Sequence, residues 1–361
     1  MTSVTVVGAG VFGASTAREL ARRGHDVSLI EQYTPGTVRS GSGGDTRLSR
    51  AAHGDVEWYT HLSQRARTLW LELQEETGTQ IWEPVGVAWF AQTDDGFEAQ
   101  SRVTLEAAGV ACEWLSPDDA RSLYPSLAVD DLSAVLYEPD SGVLYARRAT
   151  QLLVEDGIRH GVRLETRAAS VADAPRADIV VWACGAWLPK LFPEHVELRI
   201  SRRDVFFFGT DGSWSGTPGF CDYDAPFYGH GELGGLGAKV APDVPGAEID
   251  PDRLDRLPLP SLEQAARAYT AKRFPSLADA PIVGSRVCQY ELTGDTHFLF
   301  AQHPGRDSWW LLGGGSGHGF KHGPALAEYV ADCVEGTREP EPFHALGPRT
   351  GNAGLRTAAV G

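Results

Sequence analysis

The spacing of apolar residues predicts a β-α-β unit at the start of the chain. Thr5–Val7 is a short apolar strand, Gly13–Arg23 alternates apolar and polar residues at helical spacing, and Asp26–Ile30 is the next strand. A long amphipathic helix is predicted over Val56–Thr77. Its apolar face carries Trp58, Leu62, Leu69 and Leu73.

Strands and helices continue to alternate in the next hundred or so residues. Val85–Phe90 is predicted to be a strand, and Ser116 followed by a proline is typical of a helix N-cap with proline at the first helical position. Ala146–His160 has helical spacing and leads through Val162–Glu165 to the apolar strand Asp178–Ala183.

The pattern changes between residues 203 and 302, where short strand-like segments alternate with Gly/Pro turns around one helix near Leu262–Arg273. The segments are Val205–Phe208, Phe227–Gly229, Ala238–Val240, Arg286–Tyr290 and His297–Phe300. The α/β style then returns, with a strand at Trp309–Leu312 and a helix from Pro324 to about Val334. The pattern predicts an α/β domain built from separated segments, into which a mixed β-sheet domain is inserted.

Length and charge narrow the class of protein. A chain of 361 residues is longer than one hydrophobic core usually organises, which agrees with two domains. Its 48 acidic and 32 basic residues give a formal net charge of -16. Such a surface repels phosphate backbones and anionic lipid, so neither nucleic acid nor a membrane is expected as a partner. No basic segment precedes the first strand and no apolar run approaches the roughly 20 residues of a membrane span, which predicts a cytoplasmic protein.

Cysteine and lysine usage adds two points. The five cysteines lack the spacing of metal ligands, so neither a metal site nor a disulfide framework is expected. They are Cys112, Cys184, Cys221, Cys288 and Cys333. Among the 32 basic residues the lysines are Lys190, Lys239, Lys272 and Lys321. Because arginine otherwise supplies positive charge here, a lysine in a glycine-rich loop is more informative than usual.

A Gly-x-Gly-x-x-Gly sequence stands between the first strand and the first helix: Gly8-Ala9-Gly10-Val11-Phe12-Gly13. Its glycines permit a tight turn, close approach of a pyrophosphate and close helix–strand packing, and the helix N-terminus favours phosphate charge. Glu31 ends the next strand and can accept hydrogen bonds from a ribose. This context predicts a bound dinucleotide and leaves FAD and NAD as alternatives.

Two later loops combine small residues with cations. Residues 40–50 form either a flexible polar loop or a cofactor contact in which Arg50 could hold a carboxylate through two parallel hydrogen bonds. Residues 313–321 carry five glycines and end in Lys321 at a predicted helix start. This second loop is either a tight connection or a site that stabilises negative charge on a ring such as reduced flavin, and the second interpretation is favoured.

Three other residues have simple structural interpretations when the local sequence alone is considered. Cys184 stands at the end of a buried strand and is most simply a packed thiol. Lys239 would be a surface lysine on a strand, and Cys288 a buried free cysteine.

Six stretches nevertheless resemble, in order, the monomeric sarcosine oxidase and N-methyltryptophan oxidase family of flavoproteins. They are GAGVFG from Gly8, GDTRLSR from Gly44, EPDSGVLY from Glu138, GAW from Gly185, CQYELTGDTHF from Cys288 and GSGHGFK from Gly315. The resemblance covers the chain from about Thr5 to Val334, and its last two stretches are the most specific.

The family's fold is implied by this resemblance: a Rossmann-like FAD-binding domain with an inserted mixed β-sheet substrate domain. On this basis residues 1–80, 142–188 and 297–340 are expected to form the FAD-binding domain. Residues 81–141 and 189–296 are expected to form the substrate domain, and 341–361 a C-terminal tail.

The resemblance also implies site residues. Cys288 corresponds to the cysteine that forms a thioether to the flavin ring, and Lys239, with Arg47 nearby, to the lysine that activates dioxygen. Arg50 and Lys321 correspond to the catalytic pair that holds the substrate carboxylate. The aromatic walls of the substrate pocket correspond to Tyr228 and Tyr290. The residues expected to contact FAD are Gly8, Gly10, Val11, Phe12, Gly13, Glu31, Ser40, Gly41, Ser42, Thr46, Arg47, Gly185, Trp187, Cys288, Gly315, Gly317, His318, Gly319 and Lys321.

Three features depart from the family pattern. Gly43 stands where the family often has a histidine. Asp243 stands four residues after Lys239, where many members also have a histidine. These two departures leave the substrate open. The segment between Thr166 and Asp178 is shorter than usual by well over a dozen residues, which predicts the loss of an edge hairpin.

The resemblance and the motifs together predict FAD-dependent oxidation of a secondary or primary amine in an amino acid or cyclic imino acid. A monomeric enzyme is expected, with dioxygen as the acceptor and an imine and hydrogen peroxide as products. The alternatives are a dehydrogenase that uses another acceptor, a non-catalytic flavin-binding protein and an NAD-dependent dehydrogenase. Retention of both Arg50 and Lys321 argues against a non-catalytic flavin-binding protein. The sequence context of Cys288 argues against an NAD-dependent dehydrogenase.

Overall fold

The computed structural model describes residues 1–244 and 246–349. In chain order its strands are β1 Ser3–Val7, β2 Asp26–Glu31, β3 Arg47–Ser49, β4 Trp82–Glu83, β5 Val87–Ala91, β6 Glu113–Leu115, β7 Ala134–Glu138, β8 Gly142–Leu144, β9 Arg163–Thr166, β10 Ile179–Trp182, β11 Arg199–Phe208, β12 Gly219–Asp222, β13 Phe227–Glu232, β14 Ala238–Pro242, β15 Ile282–Leu292, β16 Leu299–His303 and β17 Arg306–Gly313. Its helices are α1 Val11–Arg22, α2 Glu57–Thr77, α3 Phe97–Ala107, α4 Pro117–Ala120, α5 Ala146–Arg159, α6 Leu188–Leu191, α7 Pro260–Arg273 and α8 Gly323–Val334.

The first sheet has six strands in the order β16-β17-β10-β1-β2-β9. All neighbours are parallel except β16, which runs antiparallel to β17. Helices α1, α2, α5 and α8 cover one face and pack on Val4 and Val6, whereas Trp182 and Trp309 face a separate core. A parallel sheet buried on both faces explains why β10 is a continuous apolar run rather than an alternating one.

The second sheet has eight strands in the order β15-β11-β14-β13-β12-β5-β7-β6. It is mixed, because β12 pairs parallel with β5 while the other neighbours are antiparallel. Helix α7 packs against it over an aromatic core that includes Phe90, Phe206, Phe220 and Phe274. The two sheets confirm the predicted Rossmann-like fold with an inserted mixed β-sheet domain.

Each strand of the six-stranded sheet falls within residues 1–80, 142–188 or 297–340, and each strand of the eight-stranded sheet within 81–141 or 189–296. A small sheet in the order β3-β8-β4 joins the two regions. The last part of the chain, expected to be a tail, is packed as far as residue 349. His344 is fully buried and lies 3.1 Å from the hydroxyl of Tyr329. Residues 350–361 lie outside the described part.

Several elements differ from the sequence expectation. Helix α3 was not predicted, and β11 begins six residues earlier than expected, at Arg199. The N-cap at Ser116 is confirmed, since its hydroxyl accepts the Asp119 amide at 3.2 Å, but helix α4 has only four residues. Strand β9 is an edge strand, and within the described chain no strand lies between it and β10. None of the helices in the described ranges has the length and apolar character needed to cross a lipid bilayer.

Candidate active site

A cleft of about 1340 Å³ opens at the carboxyl ends of β1, β2 and β10. That volume includes open solvent at the mouth of the cleft, whose lining runs from Gly8 and Glu31 to Trp187. Ligands of open α/β sheets bind at this edge, because the loops that leave the carboxyl ends of the strands converge there.

The glycine turn after β1 is packed too tightly for side chains. A Cβ at Gly13 would lie 1.9 Å from the carbonyl oxygen of Gly8, and one at Gly8 would lie 2.4 Å from that of Ala183. Gly13 therefore lets α1 approach the strand, and Gly8, with φ +102°, makes the turn. The Glu31 carboxylate braces the turn by accepting the amides of Ala9 at 2.8 Å and Tyr33 at 2.9 Å.

Most of the residues expected at the cofactor line this cleft. They are Gly8, Gly10, Val11, Phe12, Glu31, Ser40, Gly41, Ser42, Arg47, Gly185, Trp187, Gly315, Gly317 and Gly319. The other expected residues are not part of its lining: Gly13, Thr46, Cys288, His318 and Lys321. Sequence reasoning did not assign a cofactor contact to Glu291, which lies in the cleft and accepts the Gly315 amide at 3.4 Å.

Cys184, expected to be a packed thiol, is only partly buried and also lines the cleft. Its Sγ lies 3.5 Å from the Val7 carbonyl oxygen. Burial raises the pKa of this thiol above its ordinary value, so it is a poor nucleophile.

Arg47 stands where the cleft meets a second cavity and lines both. Its guanidinium donates to the carbonyl oxygens of Gly41 and Thr46, each at 2.7 Å. It also lies 3.3 Å from the Sγ of Cys288, which is buried on β15.

Lys239 lies on β14 and is only 2% exposed, so the expectation of a surface lysine from local sequence is wrong. The ammonium donates to the Thr46 carbonyl oxygen at 3.2 Å and lies 5.1 Å from the centre of the Tyr228 ring. Burial and then the charge of Arg47 lower the pKa of Lys239 to about 7. The site therefore holds an ammonium that titrates near neutrality.

His230 supports this arrangement and was not found from the sequence. Its Nδ1 lies 2.7 Å from the Gly231 carbonyl oxygen, so Nδ1 carries the hydrogen and Nε2 accepts the Thr46 hydroxyl at 2.8 Å. Burial lowers the pKa of His230 to about 3, which keeps the ring neutral beside Lys239.

The second cavity, of about 680 Å³, brings together all four residues expected to hold substrate: Arg50, Lys321, Tyr228 and Tyr290. These come from the end of β3, the loop before α8, and strands β13 and β15. The two tyrosine hydroxyls are 3.2 Å apart. Other aromatic walls are Trp89, Tyr223, Phe227 and Phe320. The two cavities share Arg47, Tyr290, Gly317 and Phe320, so they are contiguous.

Lys321 is buried, and the partly buried Arg50 lies near it. Burial lowers the pKa of both groups, and the charge of Arg50 adds to the lowering at Lys321. Lys321 donates to the His318 carbonyl oxygen at 2.8 Å, and the Arg50 guanidinium lies 4.8 Å from the Trp89 ring centre. An anion bound between them would offset two desolvated positive charges.

Two buried side chains fix these cations in place. The Glu138 carboxylate accepts the Ala51 amide at 2.6 Å and the Trp89 indole at 2.7 Å, which holds the segment that follows Arg50. The indole of Trp70, on α2, donates to the Lys321 carbonyl oxygen at 2.8 Å. Glu138 is the first residue of one of the family-like stretches and the last residue of the apolar strand β7. A carboxylate at the end of an apolar strand was the sequence signal that could have identified this supporting role.

The departures from the family pattern have distinct structural settings. A Cβ at Gly43 would lie 1.8 Å from the Thr37 carbonyl oxygen, so no side chain fits there. Asp243 lines the second cavity, and its carboxylate lies 3.9 Å from Nε of Arg203.

The parallel sheet, the glycine turn and the contiguous cavities define a dinucleotide-dependent enzyme of the α/β class. A family model described as FAD dependent oxidoreductase matches residues 3–333. The chain belongs to this family.

Known relatives agree with that assignment. Monomeric sarcosine oxidase from Bacillus sp. (strain B-0618) is 29% identical over 358 residues, which cover 92% of this chain and 91% of that protein. N-methyl-L-tryptophan oxidase from Salmonella heidelberg (strain SL476) is 28% identical over 359 residues, with coverages of 92% and 94%. The solved structure of L-proline dehydrogenase from P. horikoshii has a TM-score of 0.83 at 21% identity, with coverages of 95% and 96%, and shows the shared fold.

Proposed function

We propose that the protein is an FAD-dependent oxidase of a secondary or primary amine in an amino acid or cyclic imino acid, with dioxygen as electron acceptor. The observation that carries this proposal is the meeting of Arg50 and Lys321 in a cavity contiguous with the dinucleotide cleft. Both relatives bear the names of oxidases that act on N-methyl amino acids, which contain an amine and a carboxylate.

The residues of the cleft fit FAD. Gly8, Gly10 and Ser42 would border its pyrophosphate, and Glu31 has free lone pairs for the ribose. Bound FAD supplies a hydride acceptor, and the protein orients the reacting groups.

In the second cavity Arg50 and Lys321 would hold the substrate carboxylate and so fix its α-carbon. Tyr228 and Tyr290 would exclude water from the reacting carbon. Lys239 would place a positive charge where negative charge develops on dioxygen. A monomeric state and a cytoplasmic location are part of the same proposal.

A peroxide-coupled screen of N-methyl and cyclic amino acids, run beside the matching decarboxylated amines, tests the function. Turnover with a dye and not with dioxygen would favour the alternative of a dehydrogenase. A flavin absorbance that no amino acid bleaches under anaerobic conditions would favour the non-catalytic alternative.

We also propose that the flavin is covalently attached through Cys288, because its thiol lies beside the Arg47 guanidinium. Acid-denatured protein is then expected to remain yellow, and Cys288→Ala should release its flavin on denaturation. Cys221→Ala, which removes another buried thiol, is the matched control and should retain the flavin. Free flavin recovered from acid-denatured wild-type protein would disprove the linkage.

The pH dependence of reoxidation follows from Lys239, whose pKa is about 7. The ammonium is present below that pH and is lost as pH rises through it, so the rate constant for reaction with dioxygen should fall at higher pH. Negative charge on reduced flavin would move the midpoint upward, because it favours the ammonium. Stopped-flow reoxidation across pH 6–10 measures this, and a profile that is unchanged in Lys239→Met would exclude Lys239 as its source.

A further inference from the structure

Three histidines converge beside the substrate cavity. His53 lies between β3 and α2, and His318 and His322 lie between β17 and α8. One ring nitrogen from each lies within 4.8 Å of the other two. All three residues are buried, with exposed fractions of 0%, 5% and 0% respectively.

The hydrogen bonds of two rings determine which nitrogens have free lone pairs. His53 Nδ1 lies 2.8 Å from the Ala51 carbonyl oxygen, and His318 Nε2 lies 2.9 Å from that of Thr296. A carbonyl only accepts, so these nitrogens carry the hydrogens. His53 Nε2 and His318 Nδ1 are therefore left as bases.

Within residues 1–244 and 246–349, neither of these two nitrogens nor either nitrogen of His322 has a hydrogen-bond partner. Leaving a buried polar group without a partner costs about 1–3 kcal/mol, so four such atoms in one place call for a bound water or a bound ion. Metal-binding histidines commonly donate their other ring N–H to a backbone carbonyl, as His53 and His318 do here.

We propose that His53, His318 and His322 form a site for a first-row divalent metal ion, with zinc as the best match. Neutral imidazoles are preferred ligands of zinc, at about 2.0–2.1 Å, and three of them leave a fourth position open. Tetrahedral binding requires a separation of roughly 3.3 Å between ligand nitrogens, so nitrogens that are now up to 4.8 Å apart would close by up to about 1.5 Å on binding.

The surrounding charges limit the affinity. Lys321 and Arg50 lower the pKa of His53 through their positive charge, and they oppose a dication in the same way. We therefore expect an exchangeable ion rather than a permanent structural one. The site does not depend on the proposed oxidase activity, because it is defined by ring nitrogens outside the carboxylate pair.

The test is equilibrium dialysis of the flavin-loaded protein against zinc chloride after chelator treatment, with metal analysis by mass spectrometry. One exchangeable zinc ion per chain is expected for the wild type. His322→Phe and His53→Phe should each weaken zinc binding at least tenfold, since each removes a ligand while keeping an aromatic ring. Flavin absorbance and melting temperature would establish that both variants fold.

His303→Phe is the matched control. His303 lies close to His195, with ring centres 4.7 Å apart, and this pair offers the competing zinc site. Its removal should leave the ion bound. Loss of zinc in His303→Phe, or equal zinc affinity in the wild type and both cluster variants, would overturn the proposal. Anomalous scattering at the zinc edge from a soaked wild-type crystal gives a second readout that needs no variant, and a peak away from the three rings would also overturn it.

Discussion

Lys239→Met is expected to slow reoxidation of the reduced enzyme by dioxygen by a factor on the order of 10²–10³, the cost of losing one preorganised electrostatic contact in a buried site. The side chain is nearly the same length, so the loss is one of charge. Lys239 contacts the Thr46 carbonyl and the Tyr228 ring rather than Arg50 or Lys321, so anaerobic reduction by substrate should change little. Stopped-flow absorbance of the flavin measures the two half-reactions separately.

Lys272→Met provides the control for this experiment. Lys272 lies on the surface, where it pairs with Asp131 at 2.7 Å, and its removal should leave both half-reactions unchanged. Equal slowing of reduction and reoxidation in Lys239→Met would assign Lys239 to substrate binding or to structure instead.

Arg50→Ala and Lys321→Ala are each expected to weaken amino-acid binding by about 2–5 kcal/mol, or roughly 30- to 4,000-fold. Both cations are desolvated, and removing one leaves a bound carboxylate with half of its compensation. The measurement is the dissociation constant from anaerobic flavin reduction, or from binding of an unreactive carboxylate.

The matching decarboxylated amine is the decisive comparison. It lacks the group that the two cations would hold, so both variants should bind it about as well as the wild type does. Arg65→Ala, which removes an exposed arginine paired with Glu328, should alter neither substrate. If both cavity variants weakened amine and amino acid equally, the carboxylate role would be wrong and a simple amine would be the better substrate class.

The local pattern of apolar residues was sufficient to predict the helices and strands of the nucleotide-binding core. The β1-α1-β2 unit and helix α2 have regular apolar spacing, and their bounds agree with the sequence to within a few residues. The order of the strands depends on pairing between distant segments, as when β10 inserts between β1 and β17. No strand order was predicted, because periodicity along the chain does not report which segments pair, and the resemblance implied only the two-domain architecture.

The site residues show more clearly what the local sequence could not predict. Lys239 and Cys288 have ordinary structural interpretations in their local sequence, because nothing within a few residues reports that β14 and β15 are buried beside Arg47. The three histidines lie on two loops that meet only after folding. Their spacing along the chain therefore carried no sign of a metal site, and none was expected.

The close approach at Gly43 restricts how this protein could evolve or be redesigned. The histidine that the family resemblance leads one to expect at this point would require a Cβ where the Thr37 carbonyl oxygen lies only 1.8 Å away. The backbone therefore blocks the substitution of Gly43 alone. The backbone of the segment around Thr37 would first have to take a different path. A histidine at this position would need the loop around Thr37 to be exchanged with it, whereas Asp243 lies at the wall of the second cavity.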